Sequence, residues 1–310
     1  MSAGITEQLV NFIAVSLRCA TPILFAALGV LFMARAGIVN MGAEGMMLVG
    51  AFAAVTGSFY TGSAWLGLLI AATAAAAIGA VFAYVTVSLR GNQMVTGAAI
   101  NILAAGLTST FNRVIFGINT TPPKIAVFQP FAVPLFSKLP VAGPLLFNLS
   151  PLVYLCLLAV PVAHFLLYRT DWGLAVRATG EHPRAVESVG IDIFRVRYAT
   201  TIGGAALAGV GGGFLSLGML SFFAENMVAG RGYIALAAVI FGKYTPGGTL
   251  GAALLFGAGN SLQFLLQASG SKIPQDFFLM VPYVLTLAAL CGFVGRATAP
   301  AQLGRPYAKE

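Results

Sequence analysis

The chain has 310 residues, 58% of them hydrophobic and only 8% charged, with a mean hydropathy of +0.90. Charges this sparse cannot coat a soluble surface, so the composition excludes a water-soluble globule and describes a polytopic membrane protein. The net charge of +8 is spread over short connections, which leaves no soluble basic domain to hold a nucleic-acid duplex.

A helix that crosses the hydrocarbon layer needs about 20 mostly apolar residues. Such segments are predicted at 9–34, 38–57, 65–89, 94–116, 145–168, 198–222, 248–268 and 275–295, with a ninth, shorter piece at 231–243. The alternation of a membrane β-barrel strand is absent and Ala, Leu, Gly and Phe dominate, so the spans are helical. The expectation is an all-α, polytopic membrane helix bundle of about 8–10 transmembrane helices, with broken or re-entrant glycine-rich segments, in one transmembrane domain over 1–310. The start, "MSAGITEQLV", lacks a basic n-region and a cleavage site, so the first span is expected to drive insertion. Cys19, Cys156 and Cys291 lie in apolar spans without metal or pairing spacing and read as small buried hydrophobes.

The second segment, "GIVNMGAEGMMLVGAF", places Glu44 among glycines in one of the most apolar parts of the chain. An unpaired carboxylate at mid-membrane costs at least ~2.5 kcal/mol, so it must be hydrated, hydrogen-bonded, paired or protonated. Glycines permit an unwound backbone, and such irregularity is tolerated only where protein or a water-filled path surrounds it. Glu44 therefore lines a path or braces its wall, with capping of a neighbouring helix end as the plainer role. Setting Gly45 against Gly232 lays "AEGMMLVGAF" on "GRGYIALAAV" and aligns Glu44 with Arg231. This weak internal similarity fits an inverted repeat and names Arg231 as a basic partner. If the two residues pair, Glu44→Gln and Arg231→Gln should each be harmful and the double change partly restorative. The other polar residues within the spans are Asn40, Asn92, Asn101, Asn260, Gln263 and Gln267; their amides can serve a neutral, hydroxyl-rich solute or bond between helices.

Alternating the spans puts Arg35, Arg90, the block Arg169 to Arg197, Arg296, Arg305 and Lys309 on one side, which the positive-inside rule makes the cytoplasm. The connection at about 117–146 then falls outside and the C-terminus inside, while the N-terminus is external only if 231–243 counts as a crossing. The loop "RTDWGLAVRATGEHPRAVESVGIDIFRVR", about 169–197, is the one long cytoplasmic connection. Pro183 suits the first turn of a short surface helix running through Val189, and Gly190 is placed to end it. On composition alone, five Arg against four acids in this loop, it equally describes a solvated connector. No G-x-x-x-x-G-K-[ST] occurs, the nearest stretch being "FGKYT", and His164 and His182 lack metal-ligand spacing. No catalytic constellation appears. An ion-coupled secondary transporter stays open on these residues, since an intramembrane Glu can carry a proton.

The pattern Gly173, Arg177, Ala178, Gly180, Glu181, Ala185 and Gly190-Ile191 resembles the cytoplasmic coupling loop in permease subunits of ABC importers for nucleosides and simple sugars, relatives of the branched-chain amino acid permeases. "ARAGIVNMGAEGMMLVGAF", "GNQMVTGAAINIL" and "GRGYIALAAVIFGKYTPGGTLGAALLFG" are similar to further blocks of that family, in order along the whole chain. His182 stands where the family commonly has Asn, and Met41 and Ala43 replace commoner aliphatic residues. The resemblance implies a permease subunit of a multi-pass bacterial plasma (inner) membrane complex, with a second, non-identical permease chain, two ABC ATPase subunits and an extracytoplasmic substrate-binding protein. It implies no enzyme activity, cofactor or metal on this chain, with ATP and Mg used by the ATPase. Its ATPase-coupling residues would be Gly180, Glu181, His182, Arg184, Ala185, Glu187 and Gly190, and its substrate-path residues Asn40, Glu44, Asn92, Asn101, Asn260 and Gln263. Nucleosides lead as cargo, followed by simple sugars, riboflavin-like compounds and branched-chain amino acids.

Overall fold

One long helix, α1 (Ser2–Arg35), forms the axis on which the others assemble. In the computed structural model, residues 2–117, 123–132, 148–268 and 298–307 are described, together with positions 277, 280 and 284. Most of the expected 117–146 connection and of the 275–295 span lies outside them. After α1 come α2 (Ala43–Thr61), α3 (Ala64–Ala83) with a π-helical extension at Tyr84–Ser88, and α4 (Gln93–Phe116). The chain continues through α5 (Pro151–Arg169), α6 (Asp171–Glu181), α7 (Pro183–Ser188) and α8 (Ile193–Phe214) with a second π extension at Leu215–Leu220, then α9 (Arg231–Phe241) and α10 (Pro246–Ala268). Two-residue strands at Phe131–Ala132 and Asn148–Leu149 pair antiparallel. Six of the described helices are long and apolar enough to cross a membrane, and the all-α polytopic bundle expected from the sequence is observed.

In lipid, helices associate through close packing rather than through expulsion of water, which favours small residues at their seams. α8 carries "GGAALAGVGGGF" and uses it on several sides at once. A Cβ at Gly204 would lie 2.5 Å from the Gly29 carbonyl oxygen of α1, one at Gly209 2.7 Å from the Ala71 oxygen of α3, and one at Gly212 1.9 Å from the Met47 oxygen of α2. Backbones thus approach where no side chain would fit. The result is a centre built from α1 and α8, with α2 and α3 against them. Of the most apolar stretch of α1, 89% is buried, against 22% for α4, which lies at the periphery.

Two interruptions shape the bundle. α1 ends in a Schellman motif, with Gly37 at φ +86°, Gly37 N–H donating to the Ala34 oxygen and Ile38 N–H to the Met33 oxygen. Helix resumes only at Ala43, five residues later than the predicted start at 38. The second interruption, 221–230, precedes α9, whose 11 residues cover about 16 Å at 1.5 Å each. α9 and this non-helical stretch together return the chain from the end of α8 to the start of α10.

Contacts separate the two ends of the bundle. Arg35 donates to the Tyr244 oxygen (2.7 Å) and the Tyr168 hydroxyl (3.3 Å), and Gly304 N–H to the Gly37 oxygen (2.9 Å). At the opposite end Ser58 donates to the Ala126 oxygen (2.7 Å) and Phe128 N–H to the Leu217 oxygen (3.0 Å). α1 therefore begins at the end opposite the 298–307 segment, as it must if the short piece at 231–243 is part of a crossing.

Candidate functional site

The first four N–H groups of a helix have no partner within it. At α9 the N-cap is Gly230, which has no side chain to offer. Glu44, the second residue of α2, supplies what is missing: Gly230 N–H donates to its Oε1 and Gly232 N–H to its Oε2, both at 2.7 Å. Gly232 is required by this approach, because a Cβ there would sit 2.4 Å from the Glu44 backbone nitrogen. The Arg231 guanidinium donates through Nη1 to the Met227 and Val228 oxygens, at 3.2 and 3.0 Å. Hydrogen bonds to Glu44 thus come from the backbone on either side of Arg231. A helix start presents two N–H groups in fixed register, which matches the two oxygens of a carboxylate.

The start of α2 is capped from another helix as well. Asn101 of α4 accepts from Gly45 N–H at 2.8 Å, and its amide nitrogen donates to the Met41 oxygen (2.9 Å) and the Tyr233 hydroxyl (2.8 Å). The two glycines that the internal alignment paired, Gly45 and Gly232, therefore each open a helix whose first turn is held by a side chain from a neighbour. Tyr233, half-exposed at 47%, carries a polar group into this junction. Sequence reasoning passed over Tyr233; the available signal was a hydroxyl-bearing ring directly after a Gly-Arg-Gly helix start.

The remaining predicted polar residues have separate places. Asn40 is buried in the turn before α2, accepting from Gly42 N–H at 2.8 Å. Asn92 caps α4, accepting from Met94 and Val95 N–H at 3.0 and 3.2 Å. Gln93, which was not singled out, accepts from Val39 N–H at 2.7 Å and ties α4 to the same turn. Asn260 and Gln263 flank Ser261 on α10, whose hydroxyl donates to the Phe12 oxygen of α1 (3.1 Å). Of the candidate set, the structure joins Glu44 and Asn101 in one network.

At the other end of the site, the short helix expected after Pro183 is α7, with Pro183 in its first turn and Gly190 at φ +83° just beyond it. The residues before it form the helix α6, capped by Thr170, rather than an irregular connector. Pro183 and Val186 point inward and are buried, whereas Arg184, Ala185 and Ser188 face outward and Val189 is 72% exposed. His182 lies exposed at the α6–α7 corner, its N–H donating to the Ala178 oxygen at 2.8 Å. Gly180 packs flush against the end of α1, since a Cβ there would be 2.2 Å from the Arg35 oxygen. The 300–307 segment covers this corner: Ala301 N–H donates to Glu181 Oε2 (3.1 Å), Gln302 N–H to the Gly180 oxygen (2.9 Å), and the Tyr307 hydroxyl to Glu187. No sequence pattern announced that segment as an ordered element.

The family described as branched-chain amino acid transport system / permease component matches residues 12–290. The guanosine ABC transporter permease protein NupQ of Bacillus subtilis is 38% identical, over 94% of each chain. The nucleoside ABC transporter permease protein NupC of Lactococcus lactis is 36% identical over 94% of each, and the putative glucose ABC transporter permease protein TsgC13 of Haloferax volcanii 37% identical over 82% of this chain and 77% of its own. No solved structure gives a significant match. With the family profile spanning most of the chain and relatives above 35% identity along nearly all of it, the chain belongs to the branched-chain amino acid transport system permease family and is a transport subunit, not an enzyme.

Proposed function

We propose that this chain forms a wall of the translocation path of an ATP-driven importer for neutral, hydroxyl-rich solutes, nucleosides first among them. The carrying observation is the use of Glu44 and Asn101: both Glu44 oxygens are taken up by the start of α9 and the Asn101 amide by Gly45, Met41 and Tyr233. The polar group that faces a solute at that junction is therefore the Tyr233 hydroxyl, which accepts from Asn101 and keeps its own proton to donate. An uncharged hydroxyl on an aromatic ring suits a nucleoside, whose base stacks and whose hydroxyls exchange hydrogen bonds. Asn40, Asn92, Asn260 and Gln263 complete the candidate path set, with Asn40 and Asn92 acting through the backbone turns they hold. The names of the Bacillus and Lactococcus relatives agree with this cargo; a hexose is the second to test, because of the Haloferax relative.

The same reading assigns the chain, as one transmembrane domain over 1–310, to a complex in the bacterial plasma membrane. Its partners are a second, non-identical permease, ABC ATPase subunits that use ATP and Mg, and an extracytoplasmic binding protein. The positive-inside rule, applied to Arg35, Arg90, Arg169 and Arg305, supports a cytoplasmic α7 end and C-terminus. α7, with Gly180, Glu181, His182, Arg184, Ala185, Glu187 and Gly190, is the ATPase-coupling element. Reconstitution of the full complex in proteoliposomes tests this: uptake of labelled guanosine should need ATP and the binding protein. Uptake by this chain alone, driven by a proton gradient and indifferent to ATP, would overturn it.

A further inference from the structure

The segment from Pro300 to Tyr307 is an ordered strap whose anchors come from four places. It bonds to α6 through Gly180 and Glu181, to the α1–α2 turn through Gly37, and to α7 through Glu187. The fourth anchor is α8, where Arg197 is only 2% exposed and donates from Nη1 to the Arg305 oxygen (3.3 Å), while its Nε has no hydrogen-bond partner among the described residues. The Tyr307 ring also meets Phe194 edge-on at 6.3 Å. Between strap and α7 runs an open cleft of about 630 Å³, with His182, Arg184 and Ala185 on one wall and Gln302, Pro306 and Tyr307 on the other.

The charge of this cleft is one-sided. Glu181 and Glu187 turn their carboxylates to the strap itself, and Asp192 is held by Arg195 at 3.2 Å. Arg184, His182 and Arg305 remain exposed around the opening. Val189 and Ile191, 72% and 39% exposed, continue the surface as an apolar shelf beyond the end of α7. Arg184 and His182 line the cleft with no acid among the described residues that line it, and together with the apolar shelf they describe a seat for a protein surface of opposite charge.

We propose that the strap is the second wall of the ATPase seat, and that the cleft between it and α7 receives an acidic segment of the ATPase subunit. The proposal rests on the reading of α7 as the ATPase-coupling element and extends it to residues 302–307. In this arrangement the bond from Tyr307 to Glu187 sets the width of the cleft, and Tyr307 is a positioning residue. A bulk contact with α7 alone would leave the strap free of the ATPase; a shared cleft puts both within reach of it.

The experiment uses the complete complex in nanodiscs. Single cysteines replace Ala185, Gln302 or Pro306, and a short thiol-to-amine reagent probes the ATPase. Cross-links from all three positions are expected, together with about a tenfold loss of ATPase retention in Tyr307→Phe. That variant keeps the ring on Phe194 and the strap's bonds through Ala301, Gln302 and Gly304, so the permease chains without ATPase should stay folded and melt only slightly below wild type, and raising salt should weaken wild-type retention. Cross-links from 185 but not from 302 or 306 would overturn the strap proposal and leave the coupling element standing. Cross-links from none would overturn the coupling assignment itself. Full retention in Tyr307→Phe would also refute the shared cleft, and if that variant proves poorly folded the cross-links from 302 and 306 decide the matter alone.

Discussion

Replacing Glu44 by Gln is the sharpest test of how the two helix starts hold each other. The wild-type carboxylate takes two backbone N–H groups at 2.7 Å, and hydrogen bonds to a charged group contribute about 1.5–3 kcal/mol each. A glutamine keeps one acceptor oxygen and turns an NH₂ toward the other N–H. One bond falls to the neutral value of about 1 kcal/mol, the other is lost, and a buried N–H is left facing a donor at about 1–3 kcal/mol. Loss of negative charge at the start of α9 adds about 0.3–1 kcal/mol. Allowing for partial relaxation, the net is about 3 kcal/mol, on the order of 100-fold in the folding equilibrium. The assay is chemical unfolding of the purified complex in detergent, with cysteine accessibility at position 233 as a local probe. Because the bonds come from Gly230 and Gly232, adding Arg231→Gln should leave the loss in place. A Glu44→Gln protein within 0.5 kcal/mol of wild type, or one brought back near wild type by Arg231→Gln, would refute backbone capping as the dominant interaction.

Other expectations follow from single contacts. Gly212→Ala should cut the folded yield severely, its Cβ landing 1.9 Å from the Met47 oxygen, whereas Gly203→Ala in the same helix has nothing within 4 Å and should be neutral or slightly stabilising in the same unfolding assay. Asn101→Leu loses the bonds to Gly45, Met41 and Tyr233 and should cost about 2–4 kcal/mol, while Tyr233→Phe should keep the folded yield and alter uptake of guanosine in proteoliposomes. Ala185→Trp, at an outward-facing position of α7, should leave the bundle inserted yet separate ATP hydrolysis from uptake, and normal coupling in that variant would remove α7 from the ATPase interface.

Hydropathy located the crossing helices because length and apolar content are what the bilayer selects. α4 and α10 begin within two residues of the predicted starts at 94 and 248. The start of α2 was displaced because residues 38–42 are as apolar as the helix that follows, and hydropathy carries no information about backbone shape. The cause was nonetheless written in the letters: a glycine at 37 that can take φ +86° and an asparagine at 40 that bonds its own backbone two residues on. α6 was absorbed into a loop because its length of 11 residues is too short for a span and its mixed charges resemble a connector.

The site was legible in part, and the missing part has one physical origin. The sequence offered Glu44 two kinds of partner, the end of a neighbouring helix and the charge of Arg231, and named only the second by residue. The N–H groups at the start of a helix behave as a partial positive charge but have no letter of their own, and only the fold shows which helix starts meet. Once α2 and α9 are seen to begin side by side, the bonds that join them and α4 can be followed. Across the α2–α9 seam two short bonds to one carboxylate bind the helices into a unit. α4 joins the same unit through Asn101, which bonds Gly45 and Met41 at the start of α2 as well as Tyr233 of α9, and through Gln93, which accepts from Val39 N–H. Breaking one neutral hydrogen bond costs about 1 kcal/mol, while releasing a carboxylate from two costs several times more. The strap reaches that unit from the far side, since Gly304 bonds the oxygen of Gly37, where the turn leading into α2 begins. The strap thus gives a bonded route from Glu187 of α7 through Tyr307 and Gly304 to the turn at Gly37.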